Sequence, residues 1–229
     1  MLMHRSLRPF VFTLMMFVAI LGIAPTADAA EFVSQTSGTT AALRAVYFRD
    51  ANIGLAVGDG GVIRKTLDGG STWVTSATGG VRLNDVSIIS GTSITYVVGE
   101  GGAIRKSSDL GTSWSVQTSG TTAALRAVYF KDASIGLAVG DSGVIRKTLN
   151  GGSTAWTTSA TGSVGLNDVF IVPGTSISYA VGEAGVIGKS NDFGTVWSAQ
   201  DSGTTATLSG VYFVDEVLGW AVGAEGTIL

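Results

Sequence analysis

The chain has 229 residues, with 33 Gly, 3 Pro, no Cys and a single His. Charged residues make up 14%, against the roughly 25% of ordinary soluble domains, and a formal charge of −3 leaves no basic footprint for nucleic acid. Without cysteine there are no disulfides, thiol nucleophiles or cysteine-type zinc sites, and the one histidine, His4, lies in the first ten residues.

In chain order, Met1–Ala30 has the three-part layout of a secretory signal. A basic start (His4, Arg5, Arg8) precedes an apolar run from Phe10 to Ala24. Pro25 and the small-residue exit Ala27-Asp28-Ala29 then supply an A-x-A cleavage site. The apolar run is 15 residues long, short of the roughly 20 that span a bilayer. The expectation is cleavage after Ala29 and export to a periplasmic, lumenal or extracellular space, with residues 30–229 as one domain. A retained anchor is the alternative.

The remainder is one unit, copied. Ser37–Thr72 recurs at Ser119–Thr154 with four differences, 82 residues further on. A diverged copy running from Leu83-Asn84-Asp85-Val86 to Trp114 has its own partner from Leu166-Asn167-Asp168-Val169 to Trp197. A fifth copy begins at Ser202. The period is about 41 residues, giving units at about 37–78, 79–118, 119–161, 162–201 and 202–229.

Each unit reads as four short strands. In the first, Leu43–Phe48 and Ile53–Gly58 are apolar runs, Val62–Thr66 follows a turn at Asp59-Gly60-Gly61, and a fourth run surrounds Trp73. Asp-Gly between such runs predicts a tight two-residue hairpin turn, because its central residues need positive φ. Four antiparallel strands every forty residues is the pattern of β-propeller blades. A β-solenoid fits less well, since its coils are shorter and lack these turns.

The most specific motif is [S/T]-x-[D/N]-x-G-x-x-W. It carries Asp68 with Trp73, Asp109 with Trp114 and Asp192 with Trp197; Asn150 with Trp156 is a variant with one extra residue. On these residues the chain resembles the Asp-box (BNR) repeat family, and VGDGGVIRKTLDGGSTW is similar to the blades of photosystem II stability and assembly-factor proteins. The resemblance implies that each box is the turn between the third and fourth strands of a blade. Physically, the carboxylate takes the turn's backbone N–H groups and the Trp packs between blades. Such a carboxylate is a structural group, and Asn150 agrees, since an amide cannot be a general acid.

Phe32–Thr36 lines up with a fourth strand, and Thr227–Leu229 with a third. Pairing them would close a five-bladed ring. The other reading is part of a larger propeller, since the resembling family commonly has seven blades.

One face of such a propeller gathers the starts of the first strands (Arg44, Asn84, Arg126, Asn167, Ser209) and the turn acids Asp59, Glu100, Asp141, Glu183 and Glu225. This is the candidate binding face, although arginines paired with the acids across neighbouring blades would be folding chemistry alone. Arg64-Lys65, Arg105-Lys106 and Arg146-Lys147 recur on the third strands and degenerate to Gly188-Lys189; a basic stripe for an acidic partner is one reading of them.

No catalytic constellation, metal site or cofactor is expected. The expected function is an exported, monomeric, non-catalytic scaffold or assembly factor for an envelope or membrane-complex protein. Glycan binding is the alternative, with sialidase or glucanase activity ranked below it. Tyr47, Tyr96, Tyr129, Tyr179 and Tyr212 sit at packing positions, and no acid pair stands apart from the repeat.

Overall fold

The second strand of every unit is a near-continuous apolar run, the pattern of a strand covered on both faces. The computed structural model describes residues 33–160 and 162–229 and bears this out for the first four units; the expected export signal lies outside the described residues. The first sheet is β1 (Leu43–Phe48), β2 (Gly54–Gly58), β3 (Ile63–Thr66) and β4 (Val74–Ala77), antiparallel and in sequence order. The second is β5 (Leu83–Ile88), β6 (Thr95–Gly99), β7 (Ile104–Ser107) and β8 (Ser115–Gln117). The third is β9 (Leu125–Phe130), β10 (Gly136–Gly140), β11 (Ile145–Thr148) and β12 (Thr157–Ala160). The fourth is β13 (Leu166–Ile171), β14 (Ser178–Gly182), β15 (Ile187–Ser190) and β16 (Ser198–Gln200). The fifth has β17 (Leu208–Phe213) and β18 (Gly219–Gly223), and its third strand is reduced to a bridge between Val222 and Ile228. All five lie in the compact unit Gln35–Leu229. These are the all-β blades that the repeat predicts.

Successive first strands pack side by side, β1 on β5, β5 on β9, β9 on β13 and β13 on β17. The apolar residues divide accordingly, into one core per joint. Leu55, Val57 and Ile63 meet Leu83, Val86 and Val97 at the first joint. Tyr96, Val98 and Ile104 meet Leu125, Val128, Phe130 and Trp156 at the second. Leu137, Val139 and Ile145 meet Leu166, Val169 and Ile171 at the third, and Phe170 and Val181 meet Leu208 and Val211 at the fourth.

Two expectations need correction. The turn after the second strand is not a two-residue hairpin but a three-residue 3₁₀ turn, Asp59–Gly61 in the first unit. The need for positive φ was read rightly: Gly60 and Gly61 lie at 64° and 70°. A Cβ on Gly61 would sit 2.2 Å from the Gly79 carbonyl oxygen, so close approach of the next linker excludes any side chain there. The middle position is less demanding, and Ser142, Ala184 and Glu225 adopt the left-handed conformation there.

Among the described residues the five blades also do not close on themselves. β1 and β9 share the sequence LRAVYF, yet Val46 is 60% exposed where Val128 is 4%, and Leu43 is 41% exposed where Leu125 is fully buried. β9 has a sheet on both sides; β1 has one on a single side. At the other end Tyr212, Trp220 and Val222 are exposed too. Of the expected closing segment, Phe32 lies outside the described residues and Gln35–Thr36 forms no strand. Leu229 exchanges backbone hydrogen bonds with Ala221, and Gln35 accepts the Trp73 indole N–H at 3.0 Å. The arrangement is an open arc of blades.

Tyr96 ties the second joint. It is fully buried, its ring stacks on Phe130 with centroids 3.8 Å apart, and its hydroxyl donates to the Gly151 carbonyl at 2.8 Å. Tyr96→Phe should lower unfolding free energy by about 1 kcal/mol in urea titration, the worth of one hydrogen bond. Tyr96→Ala should cost about 3–5 kcal/mol through the cavity it leaves.

Candidate functional site

Each first strand begins with a register shift, between Leu43 and Ala45 in β1 and between Leu83 and Asp85 in β5. The irregularity points the second residue of the strand toward the 3₁₀ turn of the same sheet. Arg44 therefore grips Asp59 with two bonds, Nε to Oδ1 at 2.9 Å and Nη2 to Oδ2 at 3.0 Å. Arg126 reaches Asp141 at 2.6 Å and also crosses to the next blade, where it meets Glu183 and the Asn167 side-chain oxygen, each at 2.7 Å. Arg126 thus pairs both within its blade and across the joint, whereas Arg44 pairs within its own blade alone. Asn84 and Asn167 complete the series by donating across the joint to the Leu125 and Leu208 carbonyls, each at 2.7 Å.

One member of this rim escaped the sequence reading. Arg82, in the linker before β5, pairs with Glu100 at 2.9 Å and donates to the Asn84 side chain at 3.0 Å. It occupies the position held by Ala42, Ala124, Gly165 and Thr207 in the other units, a departure that alignment of the repeats could have flagged. Ser209 and Glu225 of the fifth unit join no such pair among the described residues. The Arg44 guanidinium holds the Asp59 carboxyl below its usual range, and bonds from Arg126 and the Gly165 N–H do the same for Glu183. The rim is charged, half-exposed and internally paired.

A second pair of acids is also new. Asp85 accepts the N–H of Val86 and, across the joint, the N–H of Val128, both at 2.8 Å. Asp168 repeats this with Val169 at 2.8 Å and Val211 at 2.9 Å. Each carboxylate thereby clips two adjacent first strands together. Crowding by those strands strips water from the group and pushes the Asp85 pKa up to about 7, and Asp168 moves the same way. The equivalent residues in the other units are Ala45, Ala127 and Gly210, so this clip marks every second joint.

The tryptophan turns are braces. Asp68 accepts the Thr72 N–H at 2.9 Å and the hydroxyls of Thr72 and Thr66 at 2.6 and 2.8 Å. Asp109 makes the same set with Ser113 and Ser107, Asp192 accepts the Ser190 hydroxyl and the N–H groups of Thr195 and Val196, and Asn150 substitutes by accepting from Thr148 and donating to Thr154. Trp114 and Trp197 donate their indole N–H to Ser76 and Ser159 of the preceding blade, at 3.0 and 2.8 Å. Those serines pass a hydrogen bond on to the Gly111 and Gly194 carbonyls. Trp156, whose turn carries one extra residue, is buried with no partner for its indole N–H among the described residues.

The third strands form no basic stripe. Arg64 and Arg146 are buried and donate to the carbonyls of Trp73 and Trp156, at 2.8 and 2.6 Å, while Arg105 donates to the Gly79 carbonyl at 3.1 Å. The lysines point the other way, as strand geometry requires. Lys65, Lys106 and Lys147 donate to Thr112, Gly151 and Thr195 of the following blade's turn. Among the described residues no group of three or more His, Asp or Glu could hold a metal ion, and no helix is long and apolar enough to cross a membrane.

No protein-family model and no curated protein matches the chain. Solved structures do. YCF48 bound to a D1 peptide is similar over 83% of this chain, with a TM-score of 0.65 and 22% identity, and the chain spans 64% of that protein's length. YCF48 from Cyanidioschyzon merolae is similar over 86% of this chain and 71% of its own, with a TM-score of 0.66 and 19% identity. An ancestral GH74 enzyme is similar over 86% of this chain but only 30% of its own, at 0.68 and 19%. The fold is that of a β-propeller.

Because the raised pKa of Asp85 belongs to the folded state, folding favours its protonated form. The contribution is full below the unfolded pKa near 4 and is lost as pH rises through about 7. The turn aspartates have lowered values, so their contribution is lost as pH falls below the ordinary carboxylate range. Urea midpoints should therefore decline between pH 4 and pH 7, and Asp85→Asn should flatten that decline while leaving the acid limb unchanged.

Proposed function

We propose that this chain holds a protein partner and turns over no substrate, acting as an exported scaffold or assembly and stability factor for an envelope or membrane complex. The observation that carries this reading is the rim of Arg44, Arg82 and Arg126 with Asp59, Glu100, Asp141 and Glu183. Donors and acceptors held in place before a partner arrives lose little entropy on binding, and mixed charge selects partners by complementarity. Glycoside hydrolysis instead needs two carboxylates free to exchange protons at a set separation. The rim acids are engaged by arginines, and Asp85 and Asp168 by backbone N–H groups. That a similar propeller, YCF48, is known with a D1 peptide bound supports peptide or protein binding as the use of such a fold.

The fold likeness to an ancestral GH74 enzyme favours a second reading, glycan recognition on the same face. Affinity capture from native membranes separates the two. The wild-type chain should retain a specific membrane-complex protein, and Arg44→Ala with Arg126→Ala should reduce capture at least tenfold without changing the circular dichroism spectrum. No specific partner, equal capture by the double variant, or hydrolysis of xyloglucan would contradict the proposal.

A further inference from the structure

The repeat breaks its own rule at Gly188. The second and fourth units superpose residue for residue at a step of 83: Asn84 on Asn167, Asp85 on Asp168, Glu100 on Glu183, Trp114 on Trp197. Gly188 stands where the second unit has Arg105, and the first and third have Arg64 and Arg146. In those three units the arginine ends on a backbone carbonyl, Trp73 and Trp156 before the blade's own fourth strand for Arg64 and Arg146, and Gly79 in the preceding linker for Arg105.

Where the side chain is missing the structure has a cleft of about 270 Å³. It runs between the linker Gly162–Val164, Gly188 on β15 and the outer run Trp197–Ala199. In sequence these are the counterparts of the groups near Arg105, with Gly162 aligned on Gly79, although Gly162 lacks the positive φ of Gly79. The wall is Trp197, held in position by its indole bond to Ser159. The third and fourth blades both contribute, through Ile145 and Ala160 on one side and Val186 and Ile187 on the other.

We propose that this cleft is a binding site for an arginine side chain presented by a partner polypeptide, which fills the place that the chain's own arginine fills in three sister blades. The inference rests on the protein-binding reading above and names one side chain of the partner. Its chemistry follows from the site. An arginine stem lies along apolar walls, its planar guanidinium packs against an indole, and its charged tip reaches solvent at the mouth of the cleft. The formal charge of −3 favours a cationic visitor.

The test uses capped tripeptides, acetyl-Gly-Arg-Gly-amide and its Lys and Leu equivalents, titrated into the chain with the Trp197 indole N–H followed by NMR. The arginine peptide should give a saturable shift, with the lysine and leucine peptides at least tenfold weaker. Gly188→Arg should abolish it. An added Cβ at residue 188 meets only the edge of Trp197, at 3.2 Å, so this variant should fold with a thermal midpoint at or above that of the wild type. Arg105→Gly, which recreates the cleft in the second unit, should add a second binding event. No saturable shift with the arginine peptide, equal binding of the leucine peptide, or undiminished binding by Gly188→Arg would overturn the proposal. Such a result leaves the partner capture through Arg44 and Arg126 standing, because that experiment does not involve the cleft.

Discussion

A sheet whose second strand is apolar on both faces cannot exist alone in water. β2, β6 and β10 are buried along their whole length, and the cores that bury them belong to pairs of blades and to no single blade. Every blade is therefore completed by its neighbours, and the remaining features of the molecule are ways of fixing one neighbour against the next. The lysine on each of the first three third strands, the tryptophan turn and the first-strand contacts all reach across a joint. Stability of this kind passes from unit to unit, as in other repeat proteins.

The joints differ in kind. From the second blade to the third, and from the fourth to the fifth, a crowded carboxylate clips the two first strands and an asparagine adds a second bond. From the third to the fourth, the crossing group is Arg126, bonded to Asn167 and Glu183 at the rim. The second kind keeps its charge toward solvent, which is why the same residues serve both the fold and the proposed partner face. On the proposed function, repetition itself supplies the partner face, because the rim is made from groups that also hold the joints.

Much of this was legible in the sequence because a 41-residue period with Asp-Gly turns and a tryptophan allows few architectures. The strand limits and the structural use of Asp68, Asp109 and Asp192 follow from residue type and spacing, whereas the arginine–acid pairs expected across blades lie within one blade for Arg44 and Asp59. What escaped depends on the third dimension. The Asn-Asp pair at residues 84–85 marked the repeat, but only the register shift in β5 shows that Asp85 reaches Val128. Gly188 reads as decay of a motif until the cleft beside Trp197 is seen. The closed ring failed for a plain reason: matching strand patterns say nothing about whether the end sheets lie close enough to pair.

The most direct test of completion by neighbours is hydrogen exchange at the two copies of LRAVYF. Their shared sequence gives nearly the same intrinsic exchange rates, so any difference reports environment alone. The account predicts that the amides of β9, enclosed by sheets on both sides, exchange at least a hundredfold more slowly than those of β1. Equal protection of the two strands would mean that β1 is covered as β9 is, and would contradict both the open arc and the dependence of each blade on its neighbours.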